Sequence, residues 1–203
     1  MLSFGQYRML FVAVGLIGIL LCASPVLSLL VLAPVPAPGG ESFSELYVLG
    51  SGHMLEGYPF NVKADESYTV YVGVSNHVGS SAYYACYVKL RNQTESLPDS
   101  AAGLPSTLAT LYEYRVFLED GKSWEEPLVF SFSGISFSEG EALVRSVRLN
   151  GVDFTVDKRA AWDRDSSGYY FEFLVELWRY EAGAGMRFNS RYVHFWLNMT
   201  AVV

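Results

Sequence analysis

FEFLVELW at residues 171–178 and VHFWLNM at residues 193–199 decide the fold. In the first, Phe171, Phe173, Val175 and Leu177 fall on one side of an extended chain, and Glu172, Leu174, Glu176 and Trp178 on the other. The second places Val193, Phe195, Leu197 and Met199 against His194, Trp196 and Asn198. A period of two over seven or eight residues is the mark of a half-buried strand. The same pattern recurs upstream. Tyr68, Val70, Val72 and Val74 form one series, and Tyr84, Cys86, Val88 and Leu90 a second, with Lys89 and Arg91 on its other face. Tyr112, Tyr114, Val116 and Leu118 form a third.

Turn chemistry separates these runs: GSG at 50–52, NHVG at 76–79, DG at 120–121, NG at 150–151, SG at 167–168 and GAG at 183–185. Asn150-Gly151 between Leu149 and Val152 predicts a two-residue hairpin, since type I′ turns need positive φ at both central positions. The many Tyr (14) and Phe (13) side chains suit pleated, half-buried surfaces. Residues 96–111 read as a loop with a short helical turn. The expected fold is therefore all-β, an immunoglobulin-like antiparallel sandwich over residues 42–203.

In front of this domain lies a stretch of different character. Arg8 is the sole charged residue before Glu41, and residues 9–32 read MLFVAVGLIGILLCASPVLSLLVL. As a helix these would reach about 36 Å, enough to cross a hydrocarbon core of about 30 Å. With Arg8 on the N-terminal side, the positive-inside bias predicts residues 1–8 in the cytoplasm. Residues 9–32 would then be a transmembrane helix, 33–41 a Pro/Gly linker, and the C-terminal domain extracytoplasmic. A cleaved signal with Met9 to Leu21 as its core is the competing reading, although hydrophobicity resumes after Pro25. Lipidation at Cys22 is disfavoured by Leu21 before it. A pilin- or archaellin-like filament subunit, processed near Gly5, is a further alternative, against which Pro25 would kink a packed helix.

Residues 41–203 carry 13 Lys and Arg against 21 Asp and Glu, and such an acidic surface excludes nucleic acid as a partner class. Cys22 and Cys86 cannot plausibly meet, so the domain is expected to stand without a disulfide, with Cys86 as a small core hydrophobe.

No catalytic pattern stands out. There is no G-x-S-x-G elbow and no P-loop, the three histidines (His53, His77, His194) lack ligand spacing, and the adjacent Glu125 and Glu126 point to opposite strand faces. No enzyme activity and no resident cofactor are expected. Asp163, Asp165 and Ser167 have the spacing that opens many calcium loops, but the twelfth position, where an EF-hand needs a bidentate acid, is Leu174. An ordinary polar hairpin loop is the simpler reading. Asn92-Gln-Thr94 and Asn198-Met-Thr200 are N-glycosylation sequons. Trp178 and Trp196, on outer strand faces and readable as cross-strand neighbours, are candidates for a surface that binds glycan or a protein partner, packing under the inserted segment or against a second subunit being the simpler alternative.

Several phrases together resemble an uncharacterised archaeal membrane-protein family, domain of unknown function 1616. These are SELYVLG at 44–50, EGYP at 56–59, VGVSNH at 72–77, DGKSWEE at 120–126 and VHFWLN at 193–198. The resemblance implies an archaeal surface protein with an immunoglobulin-like outer domain and supplies no catalytic residues. Family members often carry several membrane helices where this chain has one apolar run, and residues near 134–168 look like an inserted hairpin. The function this favours is a non-catalytic surface protein acting by contact with envelope proteins or by self-association, the alternatives being the filament subunit or a carbohydrate-binding module.

Overall fold

The computed structural model describes residues 42–200 and five isolated positions nearer the N-terminus, Gly5, Met9, Phe11, Val12 and Val14, all helical. The remainder of the apolar run at 9–32 and the linker at 33–41 lie outside the described residues. No described helix is long and apolar enough to cross a membrane.

Ten strands follow one another: β1 (Phe43–Leu49), β2 (Asn61–Val62), β3 (Tyr68–His77), β4 (Ala82–Asn92), β5 (Tyr112–Leu118), β6 (Ser123–Ser138), β7 (Glu141–Leu149), β8 (Val152–Asp163), β9 (Gly168–Glu181) and β10 (Gly185–Met199). They pair in two layers, β1-β3-β6-β7-β8 and β5-β4-β9-β10-β2, antiparallel everywhere except at β2–β10. At one corner β8 crosses from the first layer to the second through the pairs Trp162–Tyr169 and Asp163–Gly168. The ten strands are thus one sheet curled back on itself. The order β1-β3-β6 opposite β5-β4-β9-β10 follows the A-B-E and C′-C-F-G pairing of immunoglobulin-type sandwiches, with the β7–β8 hairpin added beyond β6.

The alternating series supply the core. Val70, Val72 and Val74 from β3 and Leu128, Phe130 and Phe132 from β6 face Tyr84, Cys86 and Val88 from β4 and Phe171, Phe173, Val175 and Leu177 from β9. Phe173 sits at the centre, with ring centroids 4.9 Å from Phe130 (65° between planes), 5.7 Å from Phe132 and 5.6 Å from Phe195. Offset and edge-to-face arrangements of this kind add stability beyond burial alone. Burial pushes the Cys86 thiol up to about 12, so it is a core hydrophobe rather than a nucleophile. Asn150 and Gly151 take φ of 47° and 84°, the positive pair a type I′ turn needs. Asn150 also reaches across the layers, donating through Nδ2 to Tyr114 Oη (2.9 Å) on β5.

Three features depart from the sequence reading or add to it. The buried register switches parity within β6 and β7, from Phe132 to Ile135 and from Val147 to Val144. It does so where Gly134 (φ 64°) lies beside Arg145 and where the β7–β8 pairing shifts by one residue. Such a bulge re-aims the side chains beyond it. Second, residues 96–111 contain no helical turn. The chain reverses through a loop closed by reciprocal backbone bonds between Asp99 and Leu104, and Asp99 Oδ1 accepts from Ala101 N and Ala102 N.

Third, the outer face of β4 and β9 is not open to solvent. Lys89, Arg91, Glu172, Leu174 and Glu176 are all buried. The β4–β5 connection folds back over them. Ser106 N donates to Glu176 Oε1 (2.7 Å), Lys89 Nζ donates to Ser106 O (2.8 Å), and Lys89 Nζ lies 2.9 Å from Glu176 Oε2. Two side chains that are polar by sequence are held inside because each charge has its counter-charge and hydrogen bonds. Removing one partner leaves the other charge buried and unpaired. Lys89→Met is therefore expected to destabilise the fold by about 3–5 kcal/mol, measured by urea denaturation of the full chain. A loss below about 1 kcal/mol would mean the pair is solvated in solution.

Candidate binding groove

Where β8 turns into β9, a groove of about 360 Å³ opens between Phe60, Gln93, Asp163, Ser166, Tyr170 and Trp196. Its volume falls at the lower end of the range for small-molecule sites, about 300–1,000 Å³. Each side chain is placed by a specific piece of the fold. Phe60 precedes β2, whose two residues add to β10 in parallel, and Asn198 N donates to Phe60 O (2.7 Å). Tyr170 comes from the start of β9, its hydroxyl donating to Ser166 O (2.5 Å). Gln93 follows β4 and donates Nε2 to Ala161 O (3.1 Å).

The aromatic wall is Phe60, Tyr170 and Trp196, with centroids 6.0 Å apart for the first pair and 6.4 Å at 86° for the second. Phe60 is 47% and Trp196 37% exposed, whereas Tyr170 is only 9% exposed. Behind Trp196, the Arg91 guanidinium lies 5.3 Å from the ring centroid and covers one face. Arg91 is itself anchored. Its Nε lies 3.0 Å from Glu172 Oε2 but aims its hydrogen at Asn92 O (3.1 Å), so the ion pair has no aligned hydrogen bond and Oε2 stays unpartnered. Glu172 Oε1 is hydrogen-bonded to His194 Nδ1. Gly168 is required at the corner, because a Cβ there would come within 2.5 Å of Asn198 Oδ1 and 2.7 Å of the Tyr170 ring.

The groove brings together two of the residues singled out from sequence, Asp163 and Trp196, and separates the others. Trp178 is elsewhere on the outer face. It stands opposite Phe188 while Trp196 stands opposite Glu172, so the two are offset by six positions along β9, about 20 Å. The two tryptophans are therefore not cross-strand neighbours. Trp178 packs on Tyr87 (5.2 Å) and Phe188 (6.0 Å) and donates Nε1 to Glu176 Oε2 (3.0 Å).

Asp163 organises its own loop: Oδ1 accepts from Asp165 N (2.9 Å) and Ser166 N (3.1 Å), an Asx turn. Asp165 and Ser167 are exposed, Ser167 at φ 55°. Among the described residues no group of three or more His, Cys, Asp or Glu is arranged to hold a metal ion.

Both sequon asparagines are engaged. Asn92 Nδ2 donates to Arg159 O (2.9 Å), and Oδ1 accepts from Thr94 N, Thr94 Oγ1 and Glu95 N. Asn198 Nδ2 donates to Asn61 Oδ1 (2.9 Å), Oδ1 accepts from Tyr169 N (3.0 Å), and Thr200 Oγ1 donates to Val62 O (3.1 Å).

Sequence reasoning missed Phe60, Tyr170, Gln93 and Ser166. Phe60 belongs to no alternating run, Tyr170 precedes the inward series of β9, and Gln93 was read only as the middle of a sequon. A larger and shallower cleft of about 540 Å³ runs between β1 (Glu45, Leu46, Tyr47, Leu49) and the β10 bulge at Ser190, Arg191 and Tyr192.

Fold and groove together define an all-β protein with an aromatic recess on one corner of a curled sandwich. Residues 36–136 match the family model described as Domain of unknown function (DUF1616). No curated protein matches the chain. Among solved structures, a β-glucosidase from Listeria innocua is 14% identical with a TM-score of 0.41, covering 80% of this chain. The chain spans only 17% of that enzyme's length. The CARDB domain of a Pyrococcus furiosus protein, solved in complex with di-metal ions, is 10% identical with a TM-score of 0.39, over 78% of this chain and 89% of that one. A chain of the complex between zinc 2-glycoprotein and prolactin inducible protein from human seminal plasma is 8% identical, with a TM-score of 0.39, over 81% and 99%.

Because Asp163 caps its loop through backbone N–H groups, Asp163→Ala is expected to cost about 1 kcal/mol. The fall in melting temperature should be equal in calcium and in chelator. A loss seen only with calcium present would make the loop a metal site.

Proposed function

We propose that the chain is a non-catalytic surface protein of an archaeal envelope, held by one N-terminal membrane helix with its sandwich outside, and that the sandwich works by contact with other envelope molecules. The observation that carries this reading is the groove. It exposes two large aromatic side chains, Phe60 and Trp196, on a closely packed corner where Gly168 and Asn198 meet and Arg91 backs the tryptophan ring. Exposed aromatics on a preorganised surface are what recognition sites use to bind at low entropic cost. The orientation follows from Arg8 ahead of the apolar run, and a domain without internal disulfides is consistent with a large self-sufficient core.

The test is affinity purification of the full chain from mildly cross-linked native membranes. A defined set of envelope proteins is expected with the wild-type chain, and its recovery should fall about tenfold in the Phe60→Ala/Trp196→Ala variant. Unchanged recovery would remove the groove as the contact site. Hydrolysis of an envelope polymer by the purified chain would remove the non-catalytic reading.

The sequons give an independent check on topology. The two sequons differ in placement rather than in bonding, since both asparagines and both threonine hydroxyls are hydrogen-bonded: Asn198 lies within β10, held between β9 and β2. Asn92 lies at the end of β4 in a turn. Glycan is therefore expected on Asn92 and not on Asn198. Intact mass of the native protein should drop with Asn92→Gln and stay fixed, apart from the substitution itself, with Asn198→Gln. An unmodified wild-type mass would remove glycosylation from the account.

A further inference from the structure

We infer that the groove takes a neutral sugar ring, so that the sandwich recognises its envelope partner through that partner's glycan; this rests on the groove being the contact site. Three features of the groove select the ligand. The first is the pairing of flat apolar surface with hydrogen-bonding groups at its rim. Trp196 and Phe60 offer exposed ring surface, and aromatic faces carry negative potential that attracts the polarised C–H bonds on one side of a pyranose. Around them stand Asp163, Ser166 and Gln93. Asp163 uses Oδ1 for its Asx turn and Gln93 uses Nε2 for Ala161 O, while Asp163 Oδ2, Gln93 Oε1 and Ser166 Oγ make no side-chain hydrogen bond within the described residues. Two acceptors and a hydroxyl at the edge of an aromatic floor suit neighbouring sugar hydroxyls, which donate and accept in turn.

The second feature is charge. The Arg91 guanidinium already covers one face of Trp196, so a cationic ligand on the ring would meet like charge. An anionic ligand would meet the Asp163 carboxylate, and Arg91 is already committed to Glu172. A neutral ligand meets neither penalty.

The third is the state of the neighbouring backbone. An extended peptide would gain affinity by pairing with a free strand edge. On this side of β8, Arg159 O and Ala161 O are already capped by the Asn92 and Gln93 side chains. Side chains, not a sheet edge, are what the groove presents.

The experiment is titration of the full chain, solubilised in a detergent without a sugar headgroup, with methyl glycosides of glucose, mannose, galactose and N-acetylglucosamine, read by tryptophan fluorescence and by ligand-observed NMR. At least one glycoside should bind saturably. Affinity should fall about tenfold in Trp196→Ala and stay unchanged in Trp178→Phe, which keeps an aromatic ring against Tyr87 and Phe188, gives up the bond to Glu176 and lies far from the groove. Choline and a short aromatic peptide serve as cationic and peptidic probes. No saturable glycoside binding, equal loss in both tryptophan variants, or binding of choline or peptide in preference to every glycoside would overturn the inference. The second arm repeats the membrane purification after periodate oxidation of the envelope glycans. Partner recovery should be lost. Recovery that survives oxidation yet still depends on Phe60 and Trp196 would overturn the glycan inference and leave the contact site standing. Recovery that ignores both would remove the contact site itself.

Discussion

Two carboxylates inside the outer layer constrain everything around them. Glu172 and Glu176 sit on β9 facing away from the sandwich core, yet neither has measurable exposure. An isolated buried carboxylate would cost several kcal/mol, so the structure supplies counter-charges from the adjacent strand, Arg91 for Glu172 and Lys89 for Glu176. Counter-charges on β4 are insufficient alone, because the face would still be open to water. The Ser106 segment closes it, meeting Glu176 with its backbone N–H and Lys89 with its carbonyl. A connection that reads as a long irregular loop is therefore fixed at its middle by an ion pair. At the other end of the ladder the same requirement locks Arg91 in place, and Arg91 in turn backs the Trp196 ring. The aromatic wall of the groove is backed by a cation because a buried acid on the adjacent strand, Glu172 opposite Trp196, needs a partner.

The curl at the β8–β9 corner follows a related logic. Strand edges invite pairing with other chains, and folded proteins blunt them with bulges, charges and side-chain caps. β8 carries all three: the shifted register beside Arg145 with Asp157 at positive φ, the Lys158 and Arg159 charges, and the Asn92 and Gln93 caps on Arg159 O and Ala161 O. Lys158 is further tied to Glu95 in the same connection that carries those caps. The seam thus joins the β7–β8 hairpin to β4, and the cost of opening it would be felt in the groove.

Much of the sandwich was legible. Every second residue of the series at 70–74, 84–90 and 171–177 is buried, because a strand with one wet face writes its period into the sequence. The outer face of β9 was misread for the same reason. Glu-x-x-x-Glu looks solvent-exposed until a distant loop, 70 residues away in sequence, brings Ser106 to it. Alternation reports which residues share a face and is silent on what covers that face. The parity switch at Gly134 had a visible trace, a glycine inside a strand pattern, but its direction depends on a neighbour, Arg145, that only pairing reveals. Of the groove, Trp196 and Asp163 were visible as an outward tryptophan and a polar loop. Their convergence was not, since it depends on the curl that carries β8 from one layer to the other.

That curl also bears on how far the family match informs function. The match ends at residue 136, inside β6. Phe60 and Gln93 fall within it, whereas Asp163, Ser166, Tyr170 and Trp196 come from strands and turns beyond it. The matched segment contains β1 to β5, and with them Arg91 and Lys89, so it holds the positive half of the ion ladder but neither acid. A chain with the matched strands and a different continuation after β6 would keep the support that Arg91 can give and lose the wall it supports. The groove is therefore built by the β8–β9 corner and β10 more than by the strands that the family model covers.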